Sequence, residues 1–196
     1  VLGVMERAEA EKKTIVRLHT GDPSLYGAIR EQMDRLEEMG IAYDVCPGVS
    51  SFNGAAASLG AELTLPEVSQ TVIITRMAGR TAVPERESFR SLAAHHSTMA
   101  VFLSAGLLEE MEEELKEAGY RPDTPAAIVY KATWPEEKAV RCTVSTLKET
   151  AEREGIRKTA MILIGNVLGT REENGYADSR LYAPDFTTGF RKGTDA

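Results

Sequence analysis

The sequence predicts an α/β protein of two consecutive α/β domains, residues 1–67 and 68–196. Three observations predict it. Short β-branched, apolar runs alternate with stretches of helical spacing, a pattern that implies parallel strands with helices packed on them. The alternation pauses once, at residues 61–67 (AELTLPE), which have no clear period and contain Pro66. Small-residue loops follow several of the strands, the place where open α/β sheets bind ligands.

Taken in order, Val4, Met5 and Ala8 suggest the tail of a helix, and residues 14–19 (TIVRLH) read as a strand. Asp22 can cap a following helix with Pro23 at its first position; Leu25, Ile29, Met33 and Leu36 keep helical spacing and Gly40 closes it. Residues 41–46 read as a second strand, broken by Pro47-Gly48, and Ser50 or Ser51 can cap a small-residue helix over 52–59. In the second domain, strands are predicted at 72–75, 99–103, 126–130, 140–144 and 160–164. Helices are predicted at 85–94 and 107–118, with another capped by Ser145 and ended by Gly155. The polar, Gly-rich tail from Gly169 reads as surface loop. The first domain has only two strands, fewer than a stable parallel sheet needs. The chain also opens on Val1 directly into helix-like sequence, so about 60 further N-terminal residues are expected, two βα units at about 30 each.

Composition excludes several functions. The 196 residues are 42% hydrophobic and 27% charged, ordinary for a soluble globular protein. A net charge of -7 speaks against nucleic acid as a partner. No apolar run approaches the roughly 18 residues of a membrane span, and the start has no signal-peptide pattern, which points to the cytoplasm. Cys46 and Cys142 are far apart, without metal-ligand spacing, and are expected to be reduced, buried thiols. No metal site is expected.

The usual catalytic motifs are absent: no GxGxxG, no phosphate-binding P-loop, no HExxH and no GxSxG. What recurs is the strand-end loop: Thr20-Gly21-Asp22, Gly48-Val49-Ser50-Ser51, Ser104-Ala105-Gly106 and Lys131-Ala132-Thr133. Small residues let backbone groups approach a ligand closely. Each loop alone also reads as an ordinary turn.

The segment His19-Thr20-Gly21-Asp22-Pro23-Ser24-Leu25-Tyr26-Gly27-Ala28 resembles the HTGDPxxYGA motif of the tetrapyrrole methylases that act on C11 of precorrin-4 or its cobalt form. Pro47-Gly48-Val49-Ser50-Ser51 is similar to the family's PGV(T/S)S loop. Residues 62–80 (ELTLPEVSQTVIITRMAGR), 129–135 (VYKATWP), 157–165 (RKTAMILIG) and 188–193 (TGFRKG) follow in family order, so the resemblance covers essentially the whole chain. Met77-Ala78 departs from the family's usual Ala-Glu, and Asn53-Gly54 stands where larger residues are common.

The resemblance implies a parallel sheet in the first domain, incomplete here, and a mixed sheet in the second. It implies S-adenosyl-L-methionine as methyl donor, lying in a cleft between the domains, with S-adenosyl-L-homocysteine as product. Carried over, donor contacts fall on Thr20, Gly21, Asp22, Tyr26, Ser50 and Ser51, then on Phe102, Leu103, Ser104, Tyr130, Lys131, Ala132, Ala160 and Met161. It implies precorrin-4 or cobalt-precorrin-4 as substrate, a place in cobalamin (vitamin B12) biosynthesis, and a homodimer. The family's Gly-Pro-Gly-Asp loop lies in its N-terminal part, which these residues do not include.

The chemistry agrees with a missing acid–base set. A sulfonium donor carries its own activation, and alignment supplies about 7–11 kcal/mol, against about 3–5 for a general base. The substrate rim bears several carboxylates, so Arg76, Arg80 and Lys131 are candidate substrate ligands, with Arg191 and Lys192 next. Arg76 and Arg80 read equally as solvated charges. Tyr26 reads as cleft lining or as core, and His19 as a donor under the loop or as a core histidine. His95 and His96 read as exposed groups at a helix end, and the acidic run 109–114 as a solvated helix face. Two other functions stay open: a same-fold methylase for another acceptor, and a donor-binding protein without turnover.

Overall fold

The computed structural model describes residues 1–179 and 183–194. The chain divides into two units, Val1–Gly54 and Ala55–Ala196.

The first unit carries α1 (Leu2–Ala10), α2 (Arg30–Glu38) and the start of α3 (Ser51–Leu59), which runs across the division. Gly40 ends α2 as expected: its φ is 68°, and Ile41 N–H reaches back to the Leu36 carbonyl at 2.9 Å. The beginning of that helix differs from expectation. It starts at Arg30, not Pro23, because Tyr26 (φ 57°) and Ala28 (φ 49°) are left-handed and break the spiral. Asp22 caps a turn instead. The predicted strands 14–19 and 41–46 are also corrected: both segments are irregular. Among the described residues no ladder joins either one, and Val16 and Leu18 are 75% and 88% exposed. An open hollow of about 820 Å³ lies inside this unit, lined by Ile15, Ile29, Met33, Leu36 and Ile41 among others. A β-branched run becomes a strand only when a neighbour takes its backbone groups, and the hollow stands where packing would be.

The second unit holds a five-stranded mixed sheet, as the resemblance implied. Its strands are β1 (Val72–Arg76), β2 (Thr98–Phe102), β3 (Pro125–Tyr130), β4 (Lys138–Thr143) and β5 (Ala160–Ile164), in the order β1-β2-β5-β3-β4. β1 and β2 are parallel; every other pair is antiparallel. Central β2, β3 and β5 are apolar on both faces, the mark of strands covered on both sides. Met99, Val101, Ile128, Ile162 and Ile164 form the core with Met111 and Leu115 of α5 (Leu108–Glu117) and Leu147 of α6 (Leu147–Glu154).

Three local expectations are corrected here. The helix expected over 85–94 is a 3-10 turn, Glu85–Glu87, then α4 (Phe89–Ala93), divided at Ser88, whose hydroxyl accepts from Ser91 N–H. Ser145 does not cap α6; a Thr143–Thr146 capping box precedes that helix, and Ser145 bonds the Pro122 carbonyl. Cys46 is exposed rather than buried; Cys142 is half-buried, its thiol pushed up to about 11 by burial, and both are free. The tail holds a short helix, α7 (Arg171–Asn174), capped by Thr170, and is otherwise irregular where described; residues 180–182 and 195–196 of the predicted surface loop lie outside the described residues. No helix among the described residues is long and apolar enough to cross a membrane.

Candidate active site

In the first unit the two predicted loops meet. Asp22 accepts hydrogen bonds from Ser24 N–H (2.8 Å), from the Ser24 hydroxyl and, across the loops, from Gly48 N–H (2.9 Å). These bonds, the Ser24 hydroxyl first, hold the Asp22 carboxyl below the ordinary carboxylate range. The approach is close enough to require glycine. A Cβ on Gly48 would lie 2.1 Å from the Gly21 carbonyl oxygen, and Gly21 has φ 67°, a left-handed conformation that favours glycine. Thr20, Gly21, Asp22, Ser50 and Ser51 are thus gathered at the start of α3, where the Ser50 carbonyl accepts from Asn53 and Gly54 N–H. Ser50 is buried and Ser51 exposed. Tyr26 is 44% exposed on its left-handed turn, which removes the core reading. His19 is half-buried beside the hollow.

In the second unit the sheet register aligns the other residues. Arg76 pairs with Phe102, Tyr130 with Ala160, and Val129 with Met161. The carboxyl ends of β1, β2 and β3 therefore share one edge with the start of β5. That edge carries Phe102, Leu103, Ser104, Tyr130, Lys131, Ala132, Ala160 and Met161. Its loops hold four non-glycine residues in left-handed backbone: Leu103 (φ 55°), Lys131 (47°), Thr133 (71°) and Thr159 (56°). Such conformations cost about 1–3 kcal/mol each and cluster where ligands are held. Leu103 presents its apolar side chain 74% exposed. Ser104 is buried: its hydroxyl donates to the Phe102 carbonyl (2.7 Å) and accepts from Met77 N–H (2.9 Å), pinning the loop after β1 to the loop after β2.

The basic candidates separate. Arg76 donates to the carbonyls of Met77, Thr81 and Ala82 at 3.1, 3.1 and 2.7 Å and so organises its own loop. Arg80 is exposed, with no side-chain bond among the described residues. Lys131 lies over the rings of Trp134 and Tyr130, beside Glu136. Arg191 fastens the tail by donating to the Ala183 and Phe186 carbonyls. His95 and His96 are exposed, and His96 stacks on Tyr120 at 4.8 Å. Gly48, Met77 and Trp134 join the site without being among the residues the sequence assigns to ligand contact. Gly48 was detectable from its Pro-Gly turn; the Met77 amide carries no side-chain signal.

The model of the tetrapyrrole (corrin/porphyrin) methylases matches residues 2–148. The chain belongs to the tetrapyrrole methylases. Among its relatives is the cobalt-precorrin-4 C(11)-methyltransferase of Methanocaldococcus jannaschii, 52% identical over 98% of this chain and 73% of the relative. The solved structure of a cobalamin biosynthetic enzyme, cobalt precorrin-4 methyltransferase, is 50% identical, with TM-score 0.85 over 86% of this chain and 71% of that one. A uroporphyrin-III C-methyltransferase from Thermus thermophilus, solved in complex with S-adenosylhomocysteine, is 26% identical, with TM-score 0.67 over 85% and 72%.

Proposed function

We propose that this tetrapyrrole methylase transfers the methyl group of S-adenosyl-L-methionine to C11 of precorrin-4 or cobalt-precorrin-4, in cobalamin biosynthesis. The observation that carries this is the gap in likeness. Identity is 52% and 50% to enzymes of cobalt-precorrin-4 but 26% to a methylase of the same fold that acts on uroporphyrin-III. That gap favours C11 over another precorrin carbon.

The residues suit such a donor. The glycine-closed loops at Gly21 and Gly48 supply close backbone groups in the first unit, and the strained turns at Leu103, Lys131, Thr133 and Thr159 supply them at the strand ends of the second. The donor, when bound, supplies a methyl group already activated on sulfur. What the chain contributes is position: Thr20, Gly21, Asp22, Tyr26, Ser50 and Ser51 from domain 1–67, and Phe102, Leu103, Ser104, Tyr130, Lys131, Ala132, Ala160 and Met161 from domain 68–196. Ser104 acts through its loop, because its hydroxyl is turned inward onto Met77 and Phe102. Lys131 and Arg80 offer charge to substrate carboxylates; Arg76 has its remaining donors for the same task. The enzyme works as a cytoplasmic homodimer, which sedimentation tests.

The deciding experiment gives the full chain S-adenosyl-L-methionine with precorrin-4 or cobalt-precorrin-4. The expected product carries one added methyl at C11, and the relative rates show which form is the substrate. Methylation at another carbon, or donor binding with no transfer, would overturn the reading.

A further inference from the structure

The Lys131 ammonium has an unusual set of neighbours. Its Nζ lies 5.1 Å from the Trp134 ring centroid and 5.4 Å from that of Tyr130. Its carboxylate neighbour, Glu136, is 3.6 Å away, beyond the roughly 2.7–2.9 Å of a charged hydrogen bond. Nζ donates no hydrogen bond among the described residues. The Lys131 side chain is 22% exposed, whereas that of Glu136 is 61% exposed and so easily withdrawn. Two aromatic faces hold the cation in place, then, while its hydrogen-bonding capacity stays open.

The loop under this clamp is fixed. Lys131 N–H donates to the Thr159 carbonyl (2.9 Å), Trp134 N–H to the Lys131 carbonyl (2.9 Å), and Glu137 N–H to the Trp134 carbonyl (3.0 Å). The Glu137 carboxylate accepts from Thr133 N–H at 2.5 Å and, second, from the Ser58 hydroxyl. With Lys131 and Thr133 left-handed, this closes the turn and swings the indole back over residue 131. A free lysine would have to freeze a four-carbon stem to meet a carboxylate; here the stem is already ordered.

We propose that Trp134 is a positioning residue for the substrate: with Tyr130 it holds the Lys131 ammonium at the sheet edge, where a carboxylate of the tetrapyrrole displaces Glu136. This rests on the C11-methyltransferase reading above. Trp134 acts through Lys131 and not by contact with the reacting atoms.

The test uses steady-state kinetics of the full chain with cobalt-precorrin-4, and S-adenosylhomocysteine titration as a check on the donor site. Trp134→Leu raises KM for the tetrapyrrole about three- to tenfold, with kcat and S-adenosylhomocysteine affinity within about twofold. Trp134→Phe, which keeps a ring face, recovers part of the loss. Glu136→Gln lowers KM. In a Lys131→Met background, Trp134→Leu adds no further change in KM. The inference is overturned if Trp134→Leu leaves KM unchanged, if its effect is as large without Lys131, or if Trp134→Phe loses S-adenosylhomocysteine binding. A parent enzyme that fails to methylate precorrin-4 in either form overturns the functional reading and this one together. An active parent with an indifferent Trp134 overturns this one alone.

Discussion

The Asp22 carboxylate is held below its ordinary value of 3.8 by the Ser24 hydroxyl, then by the amides of Gly48 and Ser24. A depressed folded-state value means that Asp22 contributes stability above the unfolded value, and that this is lost as pH falls through the lower folded one. The tie between loops 20–24 and 47–51 therefore persists to pH 3.8 and fails only below it. Asp22→Asn, which does not titrate, should flatten the acid limb of the stability curve; superimposable curves for the two proteins would show that the carboxylate does no such work. Ser104 makes the complementary case in the second unit. Its hydroxyl is the acceptor for the buried Met77 amide, so Ser104→Ala leaves that N–H without a partner. The expected loss is about 1–3 kcal/mol, read as a lower urea midpoint at unchanged slope. Both side chains were marked in the sequence as ligand contacts. Their structural partners were not legible, because a backbone amide 26 or 27 positions away leaves no trace in the side-chain pattern.

The carboxyl ends of helices were the most readable features, for a local reason. Gly40, Gly119 and Gly155 stop α2, α5 and α6 with φ of 68°, 90° and 70°, a conformation that glycine alone adopts without cost. The strands of the second unit were readable because apolar runs buried on both faces admit few other fates. Residues 14–19 and 41–46 carry equally β-prone sequence and have no ladder among the described residues, since strand formation depends on a neighbour that composition does not reveal. The acidic face of α5 was only half understood: Glu114 and Glu112 accept from the Arg90 and Lys148 amides, at the first turns of α4 and α6. Among the elements, β5 carries the most weight, lying between β2 and β3 with Ile162 fully buried against Val101 and Ile128. Ile162→Ala should cost about 2–5 kcal/mol in chemical denaturation. A loss under about 1 kcal/mol would mean that the sheet centre collapses around the gap.

The two units differ in how their backbones are held, and this sets a prediction for the molecule as a whole. Residues 14–22 and 42–47 donate no backbone–backbone hydrogen bond among the described residues, while β2, β3 and β5 are bonded on both sides. Amide hydrogen exchange reports local opening, so 14–22 and 42–47 should exchange fast and the central strands only on global unfolding. A ligand that binds the folded form protects what it touches, by about 2.7 kcal/mol at a hundredfold excess over Kd. Donor contacts are proposed on both units, at 20–22 and 50–51 and at 102–104 and 130–132. Saturating S-adenosylhomocysteine should therefore slow exchange in both sets of loops, and leave the far ends of the strands, around Thr98 and Pro125, unchanged. Protection confined to the second unit would remove Thr20, Gly21, Asp22, Ser50 and Ser51 from the donor site while sparing the sheet-edge residues. Protection confined to the first would do the reverse, and would leave the strained turns at Leu103 and Lys131 to serve the tetrapyrrole alone.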